Sequence, residues 1–380
     1  MSSLILKGAK IAGYDEVVSF VVENGLIERL EPAEATDGKV LDCSGLTLFP
    51  GFIDVHNHGA VGVDVNAADV DGLVEVAKFL ATEGVTGWLP TLVPDSDDTY
   101  RRVIDSIDRL MEIQSEMPIA QALGVHYEGV FANEKMCGAL RPEYFKRFSG
   151  SEVGEIPTLK DGMHMTTFAP EIESGVELAA ELTRRGWIAS VGHTRADVDT
   201  LERAFAAGAR HFTHFFNAMT GIHHRDIGVA GWALTNPDVT FDIIADGIHV
   251  HPRMLDLACR KKSPDKVLLI SDSVAPTGLG DGEFELWGET ITVEDRRTRN
   301  ERGSIAGSVI TMHDAVLGMR SIGFTSGETA KMASTNPARL LGVSSSRGSI
   351  EPGKRADIAA FDADGTIKFT MVGGRLVQGP

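Results

Sequence analysis

The sequence predicts an α/β protein: a (β/α)8 barrel of the TIM type, with a small β-sandwich domain formed by both chain ends. Three observations predict this. Eight short apolar runs alternate with helix-period patterns through the middle of the 380-residue chain. Both ends instead carry short strand-like runs separated by turn signals. Histidines and carboxylates stand at or just past the ends of several middle runs, which is where a barrel carries its chemistry.

The elements follow in order. Leu4–Leu6, Val17–Val22, Gly25–Ile27 and Leu46–Phe49 are β-type runs with few helical periods between them. The barrel strands are expected at Phe52–His56, Thr86–Leu92, Ile119–Tyr127, Met165–Ala169, Trp187–Val191, His211–Thr213, Thr240–Ala245 and Val267–Ile270. Leu73, Val76, Ala77, Leu80 and Ala81 share one helical face before Gly84. Val103, Ile107, Leu110 and Met111 repeat that spacing, as do Leu201 and Phe205 before Gly208. In the tail, Ile358–Phe361, Ile367–Val372 and Arg375–Val377 read as strands, with Gly373-Gly374 as a hairpin turn. The expected division is a sheet domain of residues 1–48 plus 343–380 around a barrel of 49–342. No repeat of fixed period and no low-complexity tract interrupts it.

Composition narrows the function. With 43% hydrophobic and 24% charged residues the chain resembles soluble globular proteins. A net charge of −18 argues against nucleic acid or an anionic membrane surface as partner, since both need a basic footprint. A small anionic substrate stays compatible, because one Arg and helix N-termini can hold a phosphate locally. No window reaches 18 uninterrupted apolar residues, and positions 4–6 are too short a run for a signal segment. Cys43, Cys137 and Cys259 are odd in number and widely spaced, which favours a reduced cytoplasmic setting over a disulfide framework.

The chemistry-bearing residues gain weight jointly. His56 and His58 follow Gly51–Val55, and at i, i+2 on a strand both imidazoles face one side, as ligands of one ion or as two polar residues at a solvated strand end. Glu128, in Gly124-Val-His-Tyr-Glu-Gly, reads as a metal ligand, a bridge between two ions, or a salt-bridged loop residue. His126 reads as a supporting residue. His193 and His214 each end a strand, and with Glu128 they form a set of one carboxylate and two imidazoles that leaves a zinc position open to water. Asp272, past the last strand, is placed as a general base, or caps a helix. On the substrate side, Arg225 clamps a phosphate or pairs with Asp226, and His249 meets a sugar hydroxyl or phosphate or is a loop residue. Asn217 and Ala218 offer amide or backbone donors.

Pro50–Gly59 resembles the opening of amidohydrolase-superfamily enzymes. His126-Tyr-Glu-Gly129, Gly192-His193, Thr213–Met219, Ala245–Val250, Ser271–Gly278, Ala306–Ser308 and Gly348–Ile358 resemble, in sequence and order, the N-acetylglucosamine-6-phosphate deacetylase family within it. The resemblance spans nearly the whole chain. It implies hydrolysis of N-acetylglucosamine 6-phosphate to glucosamine 6-phosphate and acetate, in a homodimer. Glu128, His193 and His214 would hold the main divalent metal, Zn2+ first and Fe2+ or another divalent ion as alternatives. Asp272 would be the acid/base. Asn217, Ala218, Arg225 and His249 would meet the sugar phosphate, with Arg225 reaching in from the neighbouring subunit. Family members without the first His-x-His run on one ion; this chain keeps His56 and His58, which leaves one ion or two, bridged through Glu128. Two departures stand out: Val130 replaces a Pro, and Leu140 replaces the family's substrate-contacting His. Either Arg141 or another group takes over that donor, or the substrate is a different N-acyl amino sugar. A non-catalytic barrel serving as an interaction protein is the remaining alternative.

Overall fold

The computed structural model describes residues 3–31 and 39–377; the expected domain ends at residues 1–2 and 378–380, and residues 32–38, lie outside the described residues. Eight parallel strands form the barrel: Phe52–Asn57, Val85–Leu92, Gly124–Phe131, Met163–Phe168, Ile188–Val191, His211–Phe212, Thr240–Ile244 and Val267–Ile270. Each overlaps the run that predicts it, and they pair in chain order. The ring closes just past the last strand: Asp272 N donates to His56 O at 2.9 Å and His58 N to Ser273 O at 2.8 Å. The first, second, third and last strands are buried along their whole length, so they appear in sequence as near-continuous apolar runs.

Helices cover the barrel. Val70–Thr82 buries the five residues whose spacing predicts it, begins on Asp69, whose side chain accepts from Gly72 N, and stops before Gly84 at φ 82°. Asp97–Ile113 is capped by Ser96 and Val198–Ala206 by Asp197. Gly228–Thr235 escapes periodicity because it is buried on nearly every side and shows no polar face.

The two chain ends pair in a separate eight-strand sheet in which Thr47–Pro50 lies antiparallel to Ile358–Phe361. Leu48, Ile358 and Ala360 point to the sheet's own small core with Leu6, Phe20 and Ile27, while Phe49, Ala359 and Phe361 point to the barrel. Ile27 exchanges backbone hydrogen bonds with Gly353 and Lys354, so the sheet bonds back onto the segment that leads into its C-terminal strands. A three-stranded antiparallel insertion, Gly282–Leu286, Glu289–Glu294 and Arg297–Asn300, follows the last barrel strand. Its apolar core is shared with Val274, Ala275 and Ala306 beside the barrel mouth.

Candidate active site

All the charged and imidazole groups expected at the strand ends meet at one mouth of the barrel. His193, His214 and Asp272 leave their strands with left-handed backbone, at φ 46°, 32° and 50°. Phe216 and Ala218 do the same at 78° and 49°. Such conformations are costly for residues other than glycine and concentrate where a side chain must be aimed inward. Asp242 supports one of them, accepting from His214 N at 2.5 Å while its other oxygen lies 2.9 Å from His211 Nε2.

The side chains fall into two adjoining sets. Glu128 Oε1 lies 3.1 Å from His193 Nε2 and 2.9 Å from His214 Nε2, and the two imidazole nitrogens are 3.1 Å apart. His56 Nε2 and His58 Nε2 are 3.0 Å apart, and Asp272 Oδ1 lies 3.4 Å and 3.3 Å from them. Glu128 joins the sets, 3.5 Å from His56 and 3.3 Å from His58. All six groups are buried.

His193 Nδ1 lies 2.7 Å from Met136 O and His58 Nδ1 lies 3.1 Å from Thr91 O. Donation to these carbonyls fixes the tautomer that turns each Nε2 lone pair toward the neighbouring groups of its set. Lone pairs converging at this range repel unless a cation sits among them. Ligands about 2.0–2.2 Å from one ion stand roughly 3 Å from each other, so each set fits a divalent metal. His56 Nδ1 and His214 Nδ1 have no hydrogen-bond partner among the described residues. In the protein without an ion, protons take the cation's place. Burial works against the charged form of His58, but Asp272 and Glu128 outweigh it and hold its pKa up at about 10. At His214 burial is overridden in the same way by Glu128, to about 9. Burial pushes the Glu128 carboxyl up, yet His56, His193 and His214 together hold it well below the ordinary range.

Beneath the mouth lies a polar layer. His126 Nδ1 is 3.2 Å from Val55 O, and Nε2 is 2.7 Å from Thr167 Oγ1, which continues to Thr213 and Ser190. With both nitrogens engaged and burial keeping its pKa well below the ordinary value, His126 is a neutral support under His56. Asp54 accepts from Ser271 Oγ at 2.6 Å and from Asn57 Nδ2 at 3.2 Å, fastening the first strand to the last.

The two sets open into a cleft of about 290 Å³. Asn217, Ala218 and His249 line it, and His249 Nδ1 is held 2.6 Å from Asp246 Oδ2. Leu140 also lines it. Arg141 does not; it pairs with Asp95 at 2.6 Å and donates to Pro94 O, so it does not replace a lost donor at position 140. Arg225 lies on an exposed loop outside the cleft, 2.5 Å from His224 Nε2. Trp287, Ser304, Ile305 and Gly307, delivered by the insertion and the segment after it, complete the lining; of these only Gly307 falls in a motif the sequence singles out, Ala306–Ser308, and that motif carries no site role there. The available signal was the alternation of Phe284, Leu286, Ile291 and Val293 around Trp287-Gly288.

Comparison with known proteins gives a consistent set of likenesses. The model of the amidohydrolase family matches residues 47–377. The chain is 34% identical to N-acetylgalactosamine-6-phosphate deacetylase of Escherichia coli O157:H7, over 94% of each chain. It is 33% identical to N-acetylglucosamine-6-phosphate deacetylase of Bacillus subtilis (strain 168), over 98% of this chain and 97% of that one. The crystal structure of N-acetylglucosamine-6-phosphate deacetylase from Pasteurella multocida superposes with a TM-score of 0.90 at 28% identity, over 98% of this chain and 99% of the other.

Proposed function

The chain belongs to the amidohydrolase family, and from that premise we propose that it hydrolyses the N-acetyl group of N-acetylglucosamine 6-phosphate, giving glucosamine 6-phosphate and acetate. The observation that carries this reading is the convergence of Glu128, His193 and His214 within 3.1 Å of one another, with Asp272 beside them. These three residues would hold the main divalent ion, for which zinc is our choice. His56 and His58, with Asp272 beside them, would hold a second, and Glu128 lies within reach of both sets. A divalent ion in such a site supplies Lewis-acid polarisation of a carbonyl and makes water more acidic.

The rest of the reaction falls to the chain's own groups. Asp272 takes a proton from the attacking water as its oxygen bonds to the acetyl carbon. It returns that proton to the sugar nitrogen as the C–N bond breaks, so acetate and a free amine leave. His249, oriented by Asp246, and Asn217 with the backbone of Ala218 meet the sugar phosphate. Arg225 has no access to its own cleft, and we assign it to the cleft of a neighbouring subunit in a homodimer. Three free cysteines agree with a cytoplasmic setting, and no helix among the described residues is long and apolar enough to cross a membrane. The domain boundaries we adopt are 1–48 plus 343–380, and 49–342.

The test is acetate release from N-acetylglucosamine 6-phosphate, its galacto epimer and the unphosphorylated sugars, with metal content measured on the same sample. We expect turnover of the phosphorylated gluco substrate. Preference for an unphosphorylated sugar would refute the phosphate-side assignment, and no release from any of them by metal-loaded protein would refute the reaction.

A further inference from the structure

One residue at the cleft has backbone that its type does not explain. Trp287 and Gly288 are the two connecting residues of the hairpin between Gly282–Leu286 and Glu289–Glu294, with φ 54° and 80°. Two left-handed residues in a two-residue hairpin make a type I′ turn, for which Asn or Asp before Gly is the favoured pair. A bulky aromatic residue in that first position is strained. The strain aims the indole inward. Its ring lies 5.3 Å from that of His58 at 79°, and its Nε1 donates to Asp64 Oδ1 at 3.3 Å. Strain retained in this way, with the side chain lining a cleft, marks a functional position.

Trp287 does not stand alone. It packs in the small apolar cluster that includes Ala139, and Arg302, just past the insertion, donates to Ala139 O at 3.1 Å. Leu140, only 3% exposed, fills the space beside Gly129; a Cβ added there would come 2.2 Å from the Leu140 side chain. The cleft therefore has two unlike walls. Asn217, Ala218 and His249 follow the sixth and seventh barrel strands. Ala139 and Leu140 follow the third, and Trp287 overhangs the first. In an eight-strand ring the third strand is opposite the seventh, so Ala139 and Leu140 stand across the mouth from His249, and Trp287, over the first strand, lines the cleft beside His58. An amide held between these walls places its hydroxyl- and phosphate-bearing sugar on the polar side and its acyl carbon chain on the apolar side.

We infer that Trp287 and Leu140 form the acyl-binding wall of this enzyme and limit the length of the acyl group it removes. The inference rests on the deacetylase reading. Two apolar side chains lining one cleft accept a methyl group and resist each further methylene.

The experiment compares kcat/KM for N-formyl, N-acetyl, N-propionyl and N-butyryl glucosamine 6-phosphate in the wild type, Trp287→Ala, Trp287→Phe and Leu140→Ala, each with measured metal content. The wild type should lose about 10-fold or more per methylene beyond acetyl, the range an apolar pocket can discriminate. Trp287→Ala should raise the propionyl-to-acetyl ratio about 10-fold, with Trp287→Phe in between. Leu140→Ala should shift the ratio the same way, and it carries the test if Trp287→Ala fails to fold. Parallel losses on every acyl group, with the ratio unchanged in both alanine variants, would make the wall merely structural and overturn the inference. Failure of the wild type to release acetate would instead overturn the reading beneath it.

Discussion

At the scale of single residues, the site is a set of lone pairs held close together by carbonyls and strained backbone, and its protonation follows from that. His58 at about 10 and His214 at about 9 both carry protons at neutral pH when no ion is bound. A ligand nitrogen must shed its proton to bind metal. Loading therefore releases protons, and metal affinity falls as pH drops below these values; calorimetry in buffers of different ionisation enthalpy reads this directly, and proton-neutral loading at pH 7 would contradict it. Asp272→Asn keeps the shape of the side chain and removes its basicity. We expect kcat to fall about 10²- to 10⁴-fold with metal retained, the range for losing a general acid/base; near-normal turnover would take Asp272 out of that role. His126 separates support from ligation. His126→Ala takes the imidazole away from Val55 O and leaves the Thr167 hydroxyl with Thr213 alone, a loss of about 1–3 kcal/mol for a buried group. Denaturant unfolding should show that loss while metal stoichiometry stays unchanged, and a folded variant lacking metal would make His126 a ligand.

At the scale of elements, the barrel strands were legible because burial on both sides writes them as apolar runs, and because Glu128, His193, His214 and Asp272 mark where the runs end. The helix at Val70–Thr82 was legible through its one-sided stripe, and Gly228–Thr235 was not, being buried nearly all round. The insertion at 282–300 alternates only weakly and carries charged residues on its open face, so it reads as a loop although it contributes Trp287 to the cleft. Backbone conformation at the ligands has no signature in residue type: nothing about His193 or Asp272 as letters announces a positive φ. Close strand contact makes its own demand. A Cβ on Gly124 would lie 2.0 Å from Met163 O, so Gly124→Ala must displace the strand that carries Glu128 away from its neighbour. The variant should lose about 1–3 kcal/mol, typical of overpacking, and bind metal more weakly; unchanged stability and affinity would show that the two strands tolerate the shift.

At the scale of the whole molecule, metal binding at these buried groups is expected to stabilise the fold. Without it, buried Glu128 and Asp272 and four imidazoles share a small space, and a ligand that binds only the folded state adds about 4 kcal/mol at a thousand times its dissociation constant. Chelation should lower the melting temperature and zinc should restore it; a melt indifferent to chelator would uncouple the two. The chain-end sheet has a different consequence, one for synthesis. Thr47–Pro50 finds its partner Ile358–Phe361 only after the barrel sequence between them has been made. A nascent chain thus emerges with an edge of that strand unmatched and with Phe49 uncovered by its later neighbour Phe361. Open strand edges invite pairing with other chains. Ribosome-stalled or prematurely ended chains of this protein that lack Ile358–Phe361 are therefore the form most prone to stick to one another, and synthesis of that strand is the step that ends their exposure.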